Sequence, residues 1–195
     1  MGGVLRAGQA VSGAQLAKGS RVLNARVKAW MASGFHIWSV VEAVLIPQSE
    51  QIAYDIGSAS TDHVTLKSDY VETTLAAAAI SGATSITVAS ATGIAASDKI
   101  AVVLDDGTVH FTTVSGAPAG AVVTLLVGLA DSAASGMKVM AYTSALVRPI
   151  KIVAVRRKNL SSGYETNLTR LERLDYQALA NKDSEGLPSQ YYYDP

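Results

Sequence analysis

Lys99-Ile100-Ala101-Val102-Val103-Leu104, then Asp105-Asp106-Gly107-Thr108, then Val109-His110-Phe111-Thr112-Thr113-Val114 reads as two strands around a tight turn. Both outer runs are rich in β-branched residues, and Asp-Gly is a strong hairpin signal because glycine readily takes the positive φ such turns need. Working outward, the same texture covers residues 72–146, which are rich in Ala, Gly, Ser, Thr and Val and contain no Trp, Arg or Asn. Further candidate strands lie at 85–88, 121–126 and 138–142, with Gly82, Gly93, Gly116, Gly120 and Gly136 between them. Five short strands with tight turns predict an all-β small barrel or sandwich. A helical turn over 75–80 is supported by propensity alone.

The flanks read differently. Ser12 is a candidate N-cap, with Gln15 completing a capping box. Leu16, Leu23, Val27, Trp30 and Met31 then recur on one helical face, and Gly34 suits the residue after the helix. The alternative is a helix starting nearer Lys18. Apolar and β-branched residues over 37–46, stopped by Pro47, and a second run over 51–56 predict a β-hairpin, with a third strand at 63–71. Beyond 146 we expect a strand over 149–155 and a short helix over 171–179, with Leu171, Leu174 and Leu179 inward. Tyr191-Tyr192-Tyr193 begins a last strand and the sequence stops at Asp194-Pro195, so we expect the chain to be cut short. The predicted fold class is α+β: helical elements with β-hairpins and an inserted all-β module. The divisions are 1–71, 72–146 and 147–195.

The 195 residues carry 16 basic and 16 acidic side chains, a formal net charge of zero. That excludes a chain-wide polycation. The neutrality is local cancellation, however: residues 71–146 have a net charge of −3 and residues 147–182 a net of +5. Only 16% of residues are charged and 49% are hydrophobic, which predicts apolar surface covered by partner subunits. The chain has no cysteine, excluding disulfides, thiolate metal sites and a cysteine nucleophile. The longest apolar run, 119–130, is well short of the ~18 residues of a membrane span.

Catalytic signals are thin. His36, His63 and His110 are too far apart in sequence to form a helical metal pair and read as structural. There is no Gly-x-Ser-x-Gly elbow and no phosphate-binding glycine loop. Asp105-Asp106-Gly107 lacks the alternating oxygen ligands of a calcium loop and reads as a turn. We therefore expect no enzyme, metal or cofactor. Arg156-Arg157-Lys158, with Arg148 and Lys151, is the sharpest charge cluster. It reads either as a solvated strand end with ion pairs or as a face for DNA phosphates or a portal. Trp30 and Trp38 favour the core, with a subunit interface as the alternative. Tyr176, Tyr191, Tyr192 and Tyr193 are interface candidates, Tyr191 and Tyr193 sharing one face of a strand.

The outer segments carry a resemblance. Leu23-Asn24, Trp30, Gly34 and Trp38, the run around Pro47, and Tyr54-Asp55-Ile56 are similar to the entry of head–tail adaptor proteins of short-tailed bacteriophages, the tail-tubular-protein type. Arg148-Pro149, Leu174-Asp175-Tyr176, Asn181-Lys182, Gly186-Leu187-Pro188 and Tyr191-Tyr192-Tyr193-Asp194 resemble that family's later signature more closely. The likeness covers roughly 21–56 and 147–195. More loosely, Gly82-Ala83-Thr84-Ser85-Ile86-Thr87-Val88 with Gly93-Ile94-Ala95-Ala96-Ser97-Asp98 resembles β modules within phage virion proteins.

The resemblance implies a virion structural protein of the neck, assembled in the host cytoplasm: a homo-oligomeric ring of twelve copies below the portal protein. It would join the portal to the tail nozzle, line the channel and contact packaged DNA without sequence preference, with no membrane partner. The chain lacks most of a leading helix, the closing strand and the C-terminal helices of the family, so portal-docking residues do not map onto it. The alternative is a β-rich adhesin, a tail-spike or fibre fragment that binds a host surface. The helices at 16–33 and 171–179 argue for the adaptor, since an adhesin does not require them.

Overall fold

A computed structural model describes residues 13–32, 40–48, 50–59, 61–182 and 186–194. The chain is mixed helix and strand, mostly β-sheet with one long helix, and divides into two units between Val41 and Glu42. In the first unit, α1 spans Gly13–Ala32. Leu16, Leu23 and Trp30, predicted to face a core, are exposed, and Val27 is half-buried. The predicted cap Ser12, Gly34, His36 and Trp38 lie outside the described residues.

The second unit is built on ten further strands before its short helix. Strand β1 (Ala43–Leu45) pairs antiparallel with β2 (Val64–Leu66). This corrects the predicted 37–46/51–56 hairpin: residues 51–56 form no strand, and the partner of β1 comes from the stretch expected as a third strand. A 3-10 turn, Lys67–Asp69, leads into β3 (Tyr70–Thr74). Then come β4 (Ser85–Thr87), β5 (Lys99–Val103), β6 (Val109–Thr113), β7 (Val122–Thr124) and β8 (Lys138–Tyr142). These five match the predicted strands to within two residues at each end. Residues 75–80 form no helical turn.

One sheet runs β3-β8-β5-β6 and a second pairs β4 with β7. Bridges join them on both sides. Val114 pairs with Leu125, where the Leu126 amide donates to the Thr113 carbonyl at 2.8 Å. Leu75 pairs with Val88, where the Ala76 amide donates to the Thr87 carbonyl at 2.8 Å. Antiparallel pairing thus runs from β3 around six strands and back to β3. Alternation sends one side chain in two inward. Ile100, Val102 and Leu104 from β5, Val139 and Ala141 from β8, and Val123 and Leu125 from β7 form one buried cluster with Ile86 and Val88.

The other face of β5 and β8 is also covered. Ala101, Met140 and Tyr142 form a second buried cluster with Ile46, against Val44, Phe111 and Leu160. The β5–β6 turn has Gly107 at φ 86°, as the Asp-Gly signal required.

After Tyr142 the path departs from expectation. Residues 149–155 are not a strand, despite their β-branched composition. Pairing begins at β9 (Arg156–Lys158), antiparallel to β10 (Glu165–Asn167). Strand β11 (Thr169–Arg170) lies parallel to β12 (Gln190–Tyr191). The second helix, α2, is only Arg173–Ala178, and Leu174, predicted to point inward, is exposed.

One close approach makes a test. A Cβ at Gly128 would sit 2.5 Å from the Gly82 carbonyl oxygen, a backbone atom with little room to yield. Gly128→Ala should cost about 1–3 kcal/mol. Gly116→Ala, whose Cβ would meet nothing within 4 Å, should show no such loss. Thermal melts of both variants measure the contrast.

Candidate basic and aromatic site

The five predicted basic residues do not act as one patch. On β9, Arg156 and Lys158 share a face, and both are tied to carboxylates of the same chain. Arg156 bridges Glu42 at 3.1 Å and Glu165 at 3.0 Å, and Lys158 bridges Glu72 at 3.0 Å. The ion-pair reading therefore holds for these two, but the partners lie within the chain and not on a neighbouring subunit. Arg157 is half-buried and donates to the Pro188 carbonyl at 3.4 Å. Arg148 donates to the Asp194 carbonyl at 3.0 Å, and Lys151 is exposed. Neutral acceptors leave the charges of Arg148 and Arg157 uncompensated.

Glu72 was not anticipated and is central. It lies on β3 and takes Lys138 from β8 at 2.9 Å as well as Lys158. Burial pushes its carboxyl pKa up, but hydrogen bonds from Lys138 and Lys158, with their charges, outweigh that and hold it below its ordinary value. Tyr70 donates to the same carboxylate at 3.4 Å; burial and then the Glu72 charge raise the Tyr70 phenol. One carboxylate thus joins three segments, with Lys158 86 positions away in sequence. No local pattern announces such a pairing.

The predicted aromatic residues converge. Tyr176 on α2 stacks on Tyr192, ring centroids 4.8 Å apart and planes within 11°. The Lys182 ammonium lies 5.6 Å above the Tyr176 ring, and the Tyr193 hydroxyl donates to the Pro149 carbonyl. Tyr191 is half-buried within β12. These tyrosines hold the end of the chain against 148–149 and α2, so their first role is within the chain. Trp30 stands on α1 and is exposed, against the core reading.

Among the histidines, His63 stacks on Phe111 at 3.7 Å, and its Nδ1 lies 2.8 Å from the Tyr142 hydroxyl. Burial, foremost, lowers the His63 pKa, and burial raises that of Tyr142 to about 12. His110 is half-buried in β6. Among the described residues no three His, Asp or Glu side chains are placed to hold a metal, and no helix is long and apolar enough to cross a membrane. No protein-family model, curated protein or solved structure matches this chain.

The Glu72 cluster implies a pH dependence. Its folded pKa is depressed, so its stabilisation is present above its ordinary value of 4.5 and lost as pH falls through the folded value. Glu72→Gln should lower stability by about 1 kcal/mol at neutral pH, roughly 2–4 °C in Tm. It should also flatten the decline below about pH 4.5. Melting curves from pH 3 to pH 7 on both proteins read this directly.

Proposed function

We propose that this chain is a structural virion protein, a head–tail adaptor of short-tailed bacteriophages. It would form an oligomeric ring that joins the portal to the tail and lines the DNA channel, with residues 72–146 as a β module inserted in the adaptor core. One observation carries the reading. The residues of the later signature, far apart in sequence, meet in one joint: Arg148 to Asp194, Pro149 to Tyr193, and Tyr176 to Tyr192 and Lys182. A chance likeness of scattered residues has no reason to be spatially coherent.

The insertion has its own support. Tyr70 and Tyr142, which bracket the module, are register partners on adjacent strands, so the chain leaves and returns at one place. Between them lies a buried cluster drawn wholly from residues 71–141. Isolated 70–142 should therefore fold by itself and melt in one cooperative transition; a noncooperative melt would count against a self-contained module.

The mechanism is assembly. Different faces of successive subunits meet, and such contacts close into a ring. The exposed apolar residues Val147, Ile150, Val153, Leu174 and Leu187 suit burial against partners. Phosphates of DNA, or a neighbouring subunit, would find charge at Arg148, Lys151 and Arg157, since Arg156 and Lys158 are already paired. Arg157→Glu should therefore lower DNA retention in filled heads more than Lys158→Glu.

Co-expression with the portal protein of its own phage, followed by native mass spectrometry, tests the reading. A closed ring of twelve copies is expected; a chain that stays monomeric beside assembled portal overturns it. The self-contained core also suits the adhesin reading, which specific binding of isolated 70–142 to host cells or glycans would favour.

A further inference from the structure

The acidic β region and the basic segment that follows it carry complementary surfaces. At one end of the six-strand ladder, three loops meet: Ala79 bridges Ala133, the Gly82 amide donates to Leu129, and the Asp105 amide donates to Ser132. This end exposes Ile80 (78% accessible), Leu126 and Val127. Around them Asp105, Asp106 and Asp131 are exposed. The two lysines of the region do not offset them: Lys99 starts β5 at the far end, and Lys138 is held by Glu72.

The chain leaves the ladder from that far end. There the Ser144 amide donates to Asp69 and the Leu146 amide to the Val64 carbonyl. The next residues, 147–153, belong to no strand. Val147, Ile150 (70% accessible) and Val153 are exposed at every third position, with Arg148 and Lys151 each following one of them.

We propose that these two surfaces are halves of one contact, in which the 147–153 strip of one copy docks on the Ile80/Leu126/Val127 end of the next. The occupant is a second copy because the charges are opposite and the apolar groups are matched in kind. The two surfaces also sit toward opposite ends of the ladder, so each copy offers one half in each direction. Apolar burial supplies the attraction, and the opposite charges steer the approach and fix its orientation. A contact between unlike surfaces propagates from copy to copy, as a ring demands. This inference rests on the ring reading and adds where its subunits touch.

The test uses the full chain co-expressed with portal, with assembly followed by native mass spectrometry and sedimentation. Leu126→Asp and Lys151→Glu alter exposed side chains, so circular dichroism and Tm should match the parent. Each should weaken assembly about tenfold or more. Asp131→Lys should do likewise, and combining it with Lys151→Glu should restore assembly. Added salt should weaken the parent contact. Folded Leu126→Asp and Lys151→Glu proteins that assemble like a ring-forming parent overturn this contact and leave the ring reading standing. Failure of the charge exchange to restore assembly overturns the pairing. A parent chain that never assembles overturns both.

Discussion

Strand β5 is buried on both faces, and the rest of the second unit is arranged around that fact. Ile100 and Val102 look into the closed ladder while Ala101 looks out toward Met140 and Ile46. Burial on two sides removes water from both rows of side chains, so neither row tolerates polar or bulky change. It also requires something to cover the outer face. The β1–β2 pair and Leu160 do so, which is why segments before and after the β region meet on its surface. The inner core stabilises the ladder, and the outer core recruits the flanks to it.

Charge then fixes what burial brings together. Glu42 and Glu72 draw in Arg156 and Lys158 across 114 and 86 positions. Exposed ion pairs contribute modestly, but Glu72 is one-fifth exposed and serves two lysines and a tyrosine. Its value is as much in register as in energy, because β9 is a three-residue strand with little else to position it. The basic third is consequently less basic than its composition suggests.

The β region was legible because pattern and burial agree there. β-Branched runs broken by glycine and Asp-Gly could pack on two faces, and they did. Where composition was similar but cover was absent, reading failed. Residues 149–155 are rich in Ile and Val yet exposed and unpaired as strand, since β propensity expresses packing more than backbone preference. The hairpin expected from 37–46 and 51–56 missed that β1 finds Val64–Leu66 instead, a choice set by Ile46 entering the outer core. The tyrosines were rightly marked as contact residues, but stacking of Tyr176 on Tyr192 depends on a chain reversal that no periodicity encodes. Glu42 and Glu72 carried no signal, because their partners are set by the fold.

Closure of the six-strand ladder has a consequence for crowding. An open sheet presents rows of unpaired amides and carbonyls that copies of the same chain can extend indefinitely. Here the bridges at Leu75–Val88 and Val114–Leu125 use those groups within the ladder. When many copies gather at high local density, backbone-driven stacking of these strands into fibrils is suppressed. Recognition between ladders is then left to side chains, whose shape and charge can distinguish a correct neighbour from a wrong one.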